Sequence, residues 1–187
     1  MIHVALVGPQ FSGKSCLLDV LCGGNGELAT GSYITNCSMN IVDFENLTFW
    51  DMPGSPRFRL NTCYKRCQII LCCTEISKSG FKDFLEFYQT DNQYRHEKHI
   101  WILVGTKSDM STDSTLSQTY QNWALSNGMK YYETSSGLLS IGVDILLEDL
   151  KELGKELENP ESIKLFEEYT TPILNYCSIN YSLGYLR

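Results

Sequence analysis

The sequence predicts an α/β layer fold, with a six-stranded, mostly parallel sheet and helices on both of its faces. Two observations carry that reading. Short apolar runs rich in β-branched and aromatic residues alternate with segments of helical period, and the glycine-rich turns fall directly after the apolar runs. Such alternation leaves most neighbouring strands parallel, because each return crosses over through a helix.

In chain order the strands are "IHVALV" (2–7), "MNIVDF" (39–44), "LTFWDM" (47–52), "QIILCCT" (68–74), "HIWILVG" (99–105) and "KYYETS" (130–135). Helix-period segments follow the first, fourth, fifth and sixth: "KSCLLDVLC" (14–22), "FKDFLEFYQTDNQY" (81–94), "LSQTYQNWALSNG" (116–128) and "GVDILLEDLKELGKELE" (142–158). Gly128 is placed to stop the third of these helices. The second and third strands, joined by the short turn region "FENL", read as a hairpin and supply the one antiparallel strand.

At 187 residues the chain holds one well-buried core with room for an appendage. Its formal charge of −7, without a basic run or tail, excludes a general binder of nucleic acid or anionic membrane. Any phosphate must therefore be held by a local device. No apolar run reaches the roughly 18 residues of a membrane span, and Ile2 opens a strand rather than a secretion leader. The eight cysteines form no CxxC and no zinc spacing, and Cys72 and Cys73 sit within an apolar run. Reduced thiols and a cytoplasmic setting are expected.

Four suspicious turns fall at carboxyl ends of strands, where open α/β sheets bind ligands. Gly8-Pro9-Gln10-Phe11-Ser12-Gly13-Lys14-Ser15 fits GxxxxGK[ST]. Its glycines let successive N–H groups curl around an anion, Lys14 offers a point charge to the terminal phosphates, and Ser15 offers a hydroxyl to Mg²⁺. The helix that begins there adds its positive end. "LTFWDMPG" places Asp51 at the end of an apolar strand, where an uncompensated carboxylate is costly; Mg²⁺ reached through water would account for it, and a capping aspartate is the bland alternative. Gly54 could lend its N–H to a terminal phosphate. "LVGTKSDM" selects the purine: guanine presents N1–H and an amino group side by side, which one carboxylate, Asp109, can accept together. The stem of Lys107 could cover the ring, and "ETSSG" would add N–H groups from the other side.

In this order GPQFSGKS, Thr35, WDMPG, TKSD and ETSSG resemble the five guanine-nucleotide motifs of Ras-superfamily small GTPases. The resemblance covers residues 1 to 158, a P-loop NTPase G domain, and leaves 159–187 as an apolar C-terminal extension. "SGKSCLL", "WDMPGSPRF" and "YYETSSG" look most like Rab proteins, whereas Thr106 in place of asparagine resembles Rho proteins, and the short interval from Thr35 to Asp51 is closer to Arf-type members. The resemblance implies that Phe11, Ser12, Gly13, Lys14, Ser15 and Cys16 wrap the β-phosphate behind Gly8. It implies Ser15 and Thr35 as Mg²⁺ ligands, Gly54 at the γ-phosphate, and Thr106, Lys107, Asp109, Ser135 and Ser136 around guanine. GTP or GDP with Mg²⁺ are the implied cofactors, and effector and regulator proteins at the switch surface the implied partners. Vesicle trafficking is the implied setting.

The chain departs from that family where hydrolysis is decided. The position of the water-orienting glutamine is Ser55, flanked by Pro53 and Pro56, which fix φ and remove N–H donors. Gln10 and Phe11 are larger than the residues usual in that loop and crowd an incoming arginine finger, whose help is worth roughly 10⁵-fold. Slow hydrolysis is expected, with Ser55, Gln10 and Gly54 as the residues that set it; Gln10 swinging over the water is the competing arrangement. Thr30 competes with Thr35 for the metal, and Tyr33 could replace a missing aromatic ring over the base. A catalytically dead interaction module is the rival reading, and a small P-loop kinase or ATPase is disfavoured because Asp109 would repel adenine. After Asn159-Pro160 the extension carries Ile163, Leu165, Phe166, Tyr169, Ile173, Leu174 and Tyr176, too apolar for a solvated tether. It should dock, dimerise or lead into a further domain. With no lipidation motif at Leu186-Arg187 or after Met1, recruitment to membranes would fall to partner proteins.

Overall fold

The computed structural model describes residues 1–26, 39–54, 61–96, 98–111, 113–137 and 140–158. Thr30, Tyr33, Thr35, Ser55, Pro56 and the extension 159–187 lie outside them. The expected α/β layer architecture is found. Among the described residues the strands are β1 (Ile2–Val7), β2 (Asn40–Phe44), β3 (Leu47–Asp51), β4 (Ile69–Glu75), β5 (Ile100–Thr106) and β6 (Lys130–Glu133). The helices are α1 (Lys14–Leu21), α2 (Asn61–Arg66), α3 (Lys78–Asp91), α4 (Ser114–Ser126) and α5 (Val143–Leu157).

The sheet order is β2-β3-β1-β4-β5-β6. Only the β2–β3 hairpin is antiparallel, with Ile41 opposite Trp50 and Phe44 opposite Leu47. The other neighbours are parallel, and β1 runs between β3 and β4 with Ala5 level with Trp50 and Ile70. Strand order reverses about β1, so the loops after β1 and β3 and those after β5 and β6 meet at one rim.

Period-two alternation along these strands builds two cores. On one face Val4, Leu6, Phe49, Leu71 and Val104 pack against Leu17, Leu18 and Leu21 of α1 and Val143, Leu146 and Leu150 of α5. On the other, Ala5, Trp50, Ile70, Cys72 and Leu103 pack against Phe84 and Phe87 of α3 and Tyr120 and Ala124 of α4. Burial pushes the thiol of Cys73 up to about 12 and raises that of Cys72, so both behave as small apolar side chains.

Helix α3 starts earlier than its periodicity indicates because the Ser77 side chain caps it, accepting a 2.9 Å bond from the Gly80 N–H. Asp113 caps α4 in the same way through the Thr115 N–H at 3.0 Å. Helix α2 was not anticipated, since "NTCYKR" has no helical stripe of its own. Tertiary contact holds it: Tyr64 is buried, stacks on Tyr94 with centroids 5.3 Å apart, lies parallel to Trp101 at 6.0 Å, and donates to the buried carboxylate of Asp91.

Phe84 is fully buried, with its ring edge-on to Trp123 at 4.8 Å. Phe84→Ala is expected to lower unfolding free energy by about 3–5 kcal/mol in urea titration, whereas truncation of the exposed Leu125 should leave the midpoint within error.

Candidate nucleotide site

The four loops after β1, β3, β5 and β6 touch one another directly, and two glycines make this possible. A Cβ on Gly8 would lie 2.1 Å from the Cys73 carbonyl oxygen, and Gly8 has φ 141, so the chain leaves β1 pressed against β4. A Cβ on Gly54 would lie 2.6 Å from the Gln10 backbone nitrogen, so the β3 loop closes onto the first loop. The first and β5 loops are joined by Thr106 Oγ1, which lies 2.7 Å from the Ser12 carbonyl oxygen and donates to it. The β5 and β6 loops are joined by the Ser108 N–H, which donates to Thr134 at 3.1 Å. Ser135 Oγ donates to Asp109 Oδ1 at 2.5 Å.

The first loop surrounds a buried cation. Lys14 is 6% exposed, and its Nζ donates to the carbonyls of Gly8 at 3.1 Å and Pro9 at 2.7 Å and to Ser12 Oγ at 3.3 Å. Desolvation lowers its pKa, opposed by Cys73 and Asp51. The N-terminus of α1 has Gly13 as its cap, no side-chain capping bond and no acidic residue in its first turn. A buried ammonium beside an uncapped helix start fits an anion such as a phosphate. Phe11 adopts φ 62 with its ring 61% exposed; a left-handed aromatic residue costs about 1 kcal/mol and leaves a large side chain at the rim of the loop.

Across from Lys14, Asp51 is 4% exposed and accepts a 2.6 Å bond from Ser15 Oγ. Burial raises its pKa, opposed first by the Ser15 hydrogen bond and then by Lys14. A desolvated carboxylate facing a hydroxyl is a donor set that fits a hard divalent cation. No group of three or more His, Cys, Asp or Glu residues forms a metal cluster among the described residues, so the fit rests on this pair.

Around Asp109 the structure shows contacts that the sequence did not indicate. Thr106, expected at guanine, is 2% exposed and braces the loops, lying also 3.1 Å from the Thr74 carbonyl oxygen. Ser135, expected to offer backbone groups, uses its hydroxyl to hold Asp109, and the Gly137 N–H donates back to that hydroxyl at 3.2 Å. Lys107 adopts φ 56, and its Nζ lies 2.6 Å from Glu75 Oε2 at the end of β4. Glu75 was missed by sequence reasoning, although it carries the signal that singled out Asp51: a carboxylate closing an apolar strand. Cys16 lies in the first turn of α1 and Ser136 in the loop after β6, while Thr35 and Ser55 fall outside the described residues.

Residues 3–153 match the Ras family, "Ras". The chain belongs to the Ras family. Similar proteins carry Rab names. The Ras-related protein RAB1BV of Beta vulgaris is 31% identical over 73% of this chain and 68% of its own length. The Ras-related protein RABE1d of Arabidopsis thaliana is 29% identical over 91% and 86%. The Ras-related protein SEC4 of Saccharomyces cerevisiae is 28% identical over 73% and 67%. This is a divergent Rab-like small GTPase, and the G-domain fold expected from its motifs is the fold observed. No helix among the described residues is long and apolar enough to cross a membrane.

Because burial raises the Asp51 pKa, the folded protein favours the neutral carboxyl more than the unfolded chain does. Stability of the nucleotide-free protein should therefore fall as pH rises through the folded pKa of Asp51. Asp51→Asn keeps an acceptor for Ser15 and removes that loss. In urea titrations without nucleotide or metal, it should be more stable than wild type at pH 7, the difference shrinking as pH falls and the Asp51 carboxyl takes up its proton. A difference that stays constant with pH would contradict this assignment.

Proposed function

We propose that this Rab-like protein is a guanine-nucleotide switch that binds GTP or GDP with Mg²⁺ and hydrolyses GTP slowly. One observation carries the reading: the loop holding buried Lys14 and the loop holding Asp109 are fastened together by Thr106, so a phosphate grip and a base reader share one rim. Gly8, the Phe11–Cys16 segment and Lys14 would hold the phosphates, with Gly54 reaching the γ-phosphate. Ser15 and Thr35 would ligate Mg²⁺ directly and Asp51 through water. Mg²⁺ supplies charge neutralisation on the phosphate oxygens. Lys107, Asp109 and Ser136 would meet guanine, with Ser135 orienting the Asp109 carboxylate and Thr106 fixing the distance between the two ends of the nucleotide.

Weak turnover follows from the residues around the γ-phosphate. Ser55 is too short to orient water as glutamine does, and the exposed ring of Phe11 beside Gln10 crowds the approach of an arginine finger. Effectors and regulators would read the segments around Thr35 and after Gly54, in vesicle traffic, with the protein cytoplasmic and brought to membranes by partners. Residues 159–187 would add an apolar docking or dimerisation segment to the G domain of residues 1–158.

Nucleotide released from the purified protein by denaturation and resolved by ion exchange should be GDP or GTP. Asp109→Asn should lose guanine preference by at least about tenfold, since one carboxylate accepts both guanine donors; an unchanged preference would overturn the reading.

Single-turnover phosphate release should be slow in wild type and at least about tenfold faster in Ser55→Gln or Gln10→Gly. Release below detection in wild type and in both variants would instead favour a catalytically dead interaction module.

A further inference from the structure

The Lys107–Glu75 pair joins a residue of the base-side loop to the end of a neighbouring strand. Nζ and Oε2 are 2.6 Å apart, with side chains 32% and 39% exposed. Glu75 is held from several directions before its carboxylate is considered. Its carbonyl accepts from Tyr120 Oη at 2.7 Å and from the Ser77 N–H at 2.9 Å. The next residue, Ile76, donates its N–H to the Thr106 carbonyl at 3.1 Å. Gly80 packs so closely that a Cβ there would lie 2.2 Å from the Glu75 oxygen. The carboxylate is therefore presented from a rigid strand end, not from a loop.

Lys107 and Asp109 are two residues apart in a tight turn, in which the Met110 N–H donates to the Lys107 carbonyl at 3.0 Å. An ammonium and a carboxylate so placed attract each other. Asp109 has one oxygen engaged by Ser135, and the guanine reading needs the carboxylate to accept from N1–H and the 2-amino group together. A Lys107 ammonium pairing with Asp109 would occupy that acceptor and silence it. Glu75 offers the ammonium an alternative partner on another strand.

We propose that Glu75 is a specificity-determining positioning residue, drawing Lys107 away from Asp109 so that the Asp109 carboxylate stays available to guanine. This rests on the guanine reading above and deepens it: the reader is Asp109, and Glu75 keeps it readable. Glu75 needs no contact with nucleotide, so its effect falls on base discrimination more than on phosphate affinity.

The test compares affinities for the diphosphates of guanosine and inosine, which differ only in the 2-amino group, in wild type, Glu75→Gln, Lys107→Met and the double variant. Glu75→Gln should lower the guanosine-to-inosine affinity ratio about threefold, the scale of a partly exposed ion pair. Glu75→Lys, which repels Lys107, should lower it further. In the Lys107→Met background, with the competing ammonium gone, Glu75→Gln should leave the ratio unchanged. Thermal unfolding of each variant shows that the fold is retained. A wild-type preference that survives both Glu75 substitutions overturns this inference alone. An equal loss in the Lys107→Met background overturns it in favour of a plain structural role. Lack of guanine preference in wild type overturns the guanine reading itself, and this inference with it.

Discussion

Two opposite charges are buried where β1 and β3 end, and the rim of the sheet is organised around them. Lys14 and Asp51 are each nearly removed from water, and desolvation shifts each towards its neutral form. Among the described residues neither has an ion-pair partner within reach: Lys14 is satisfied by two carbonyls and a hydroxyl, Asp51 by the Ser15 hydroxyl. Buried groups of this kind are expensive in a scaffold and useful in a site, because an anion beside the lysine and a cation beside the carboxylate would relieve both at once.

The rest of the rim ties those charges to the loop that carries Asp109. Glycine at positions 8 and 54 lets the loop after β1 approach strand β4 and the loop after β3 to backbone contact. The Thr106 hydroxyl then ties the phosphate side to the base side through the Ser12 carbonyl. Asp109 and Lys107 each contact a side chain from a different element, Ser135 after β6 and Glu75 at the end of β4. The surroundings of the Asp109 carboxylate are thus assembled from three strands.

Roughly 30% identity to Rab-named proteins leaves room for such rearrangement. Threonine at position 106 still braces the loops because only a short hydroxyl is needed to reach the Ser12 carbonyl, and its strand neighbour Glu75 takes up the charge of Lys107. On the other side, the left-handed Phe11 places an exposed aromatic ring at the mouth of the loop after β1.

Much was legible in the sequence because it is local. Short apolar runs rich in β-formers marked the six described strands, because β1, β3, β4 and β5 are buried along most of their length and β2 and β6 partly so. The glycine spacing before Lys14 marked the first loop because a side chain at Gly8 would meet the Cys73 carbonyl. The hairpin of β2 and β3 was legible from the length of its turn. Helix α2 was not, because its stability comes from Tyr64 reaching Asp91, Tyr94 and Trp101, partners 27 to 37 positions later in the chain. By itself the sequence determined the layer order, the rim and the residue types available for binding phosphate, metal and guanine. The tertiary structure alone decided which of them touch one another, because an ion pair such as Lys107 with Glu75 depends on strand neighbours that no local pattern encodes.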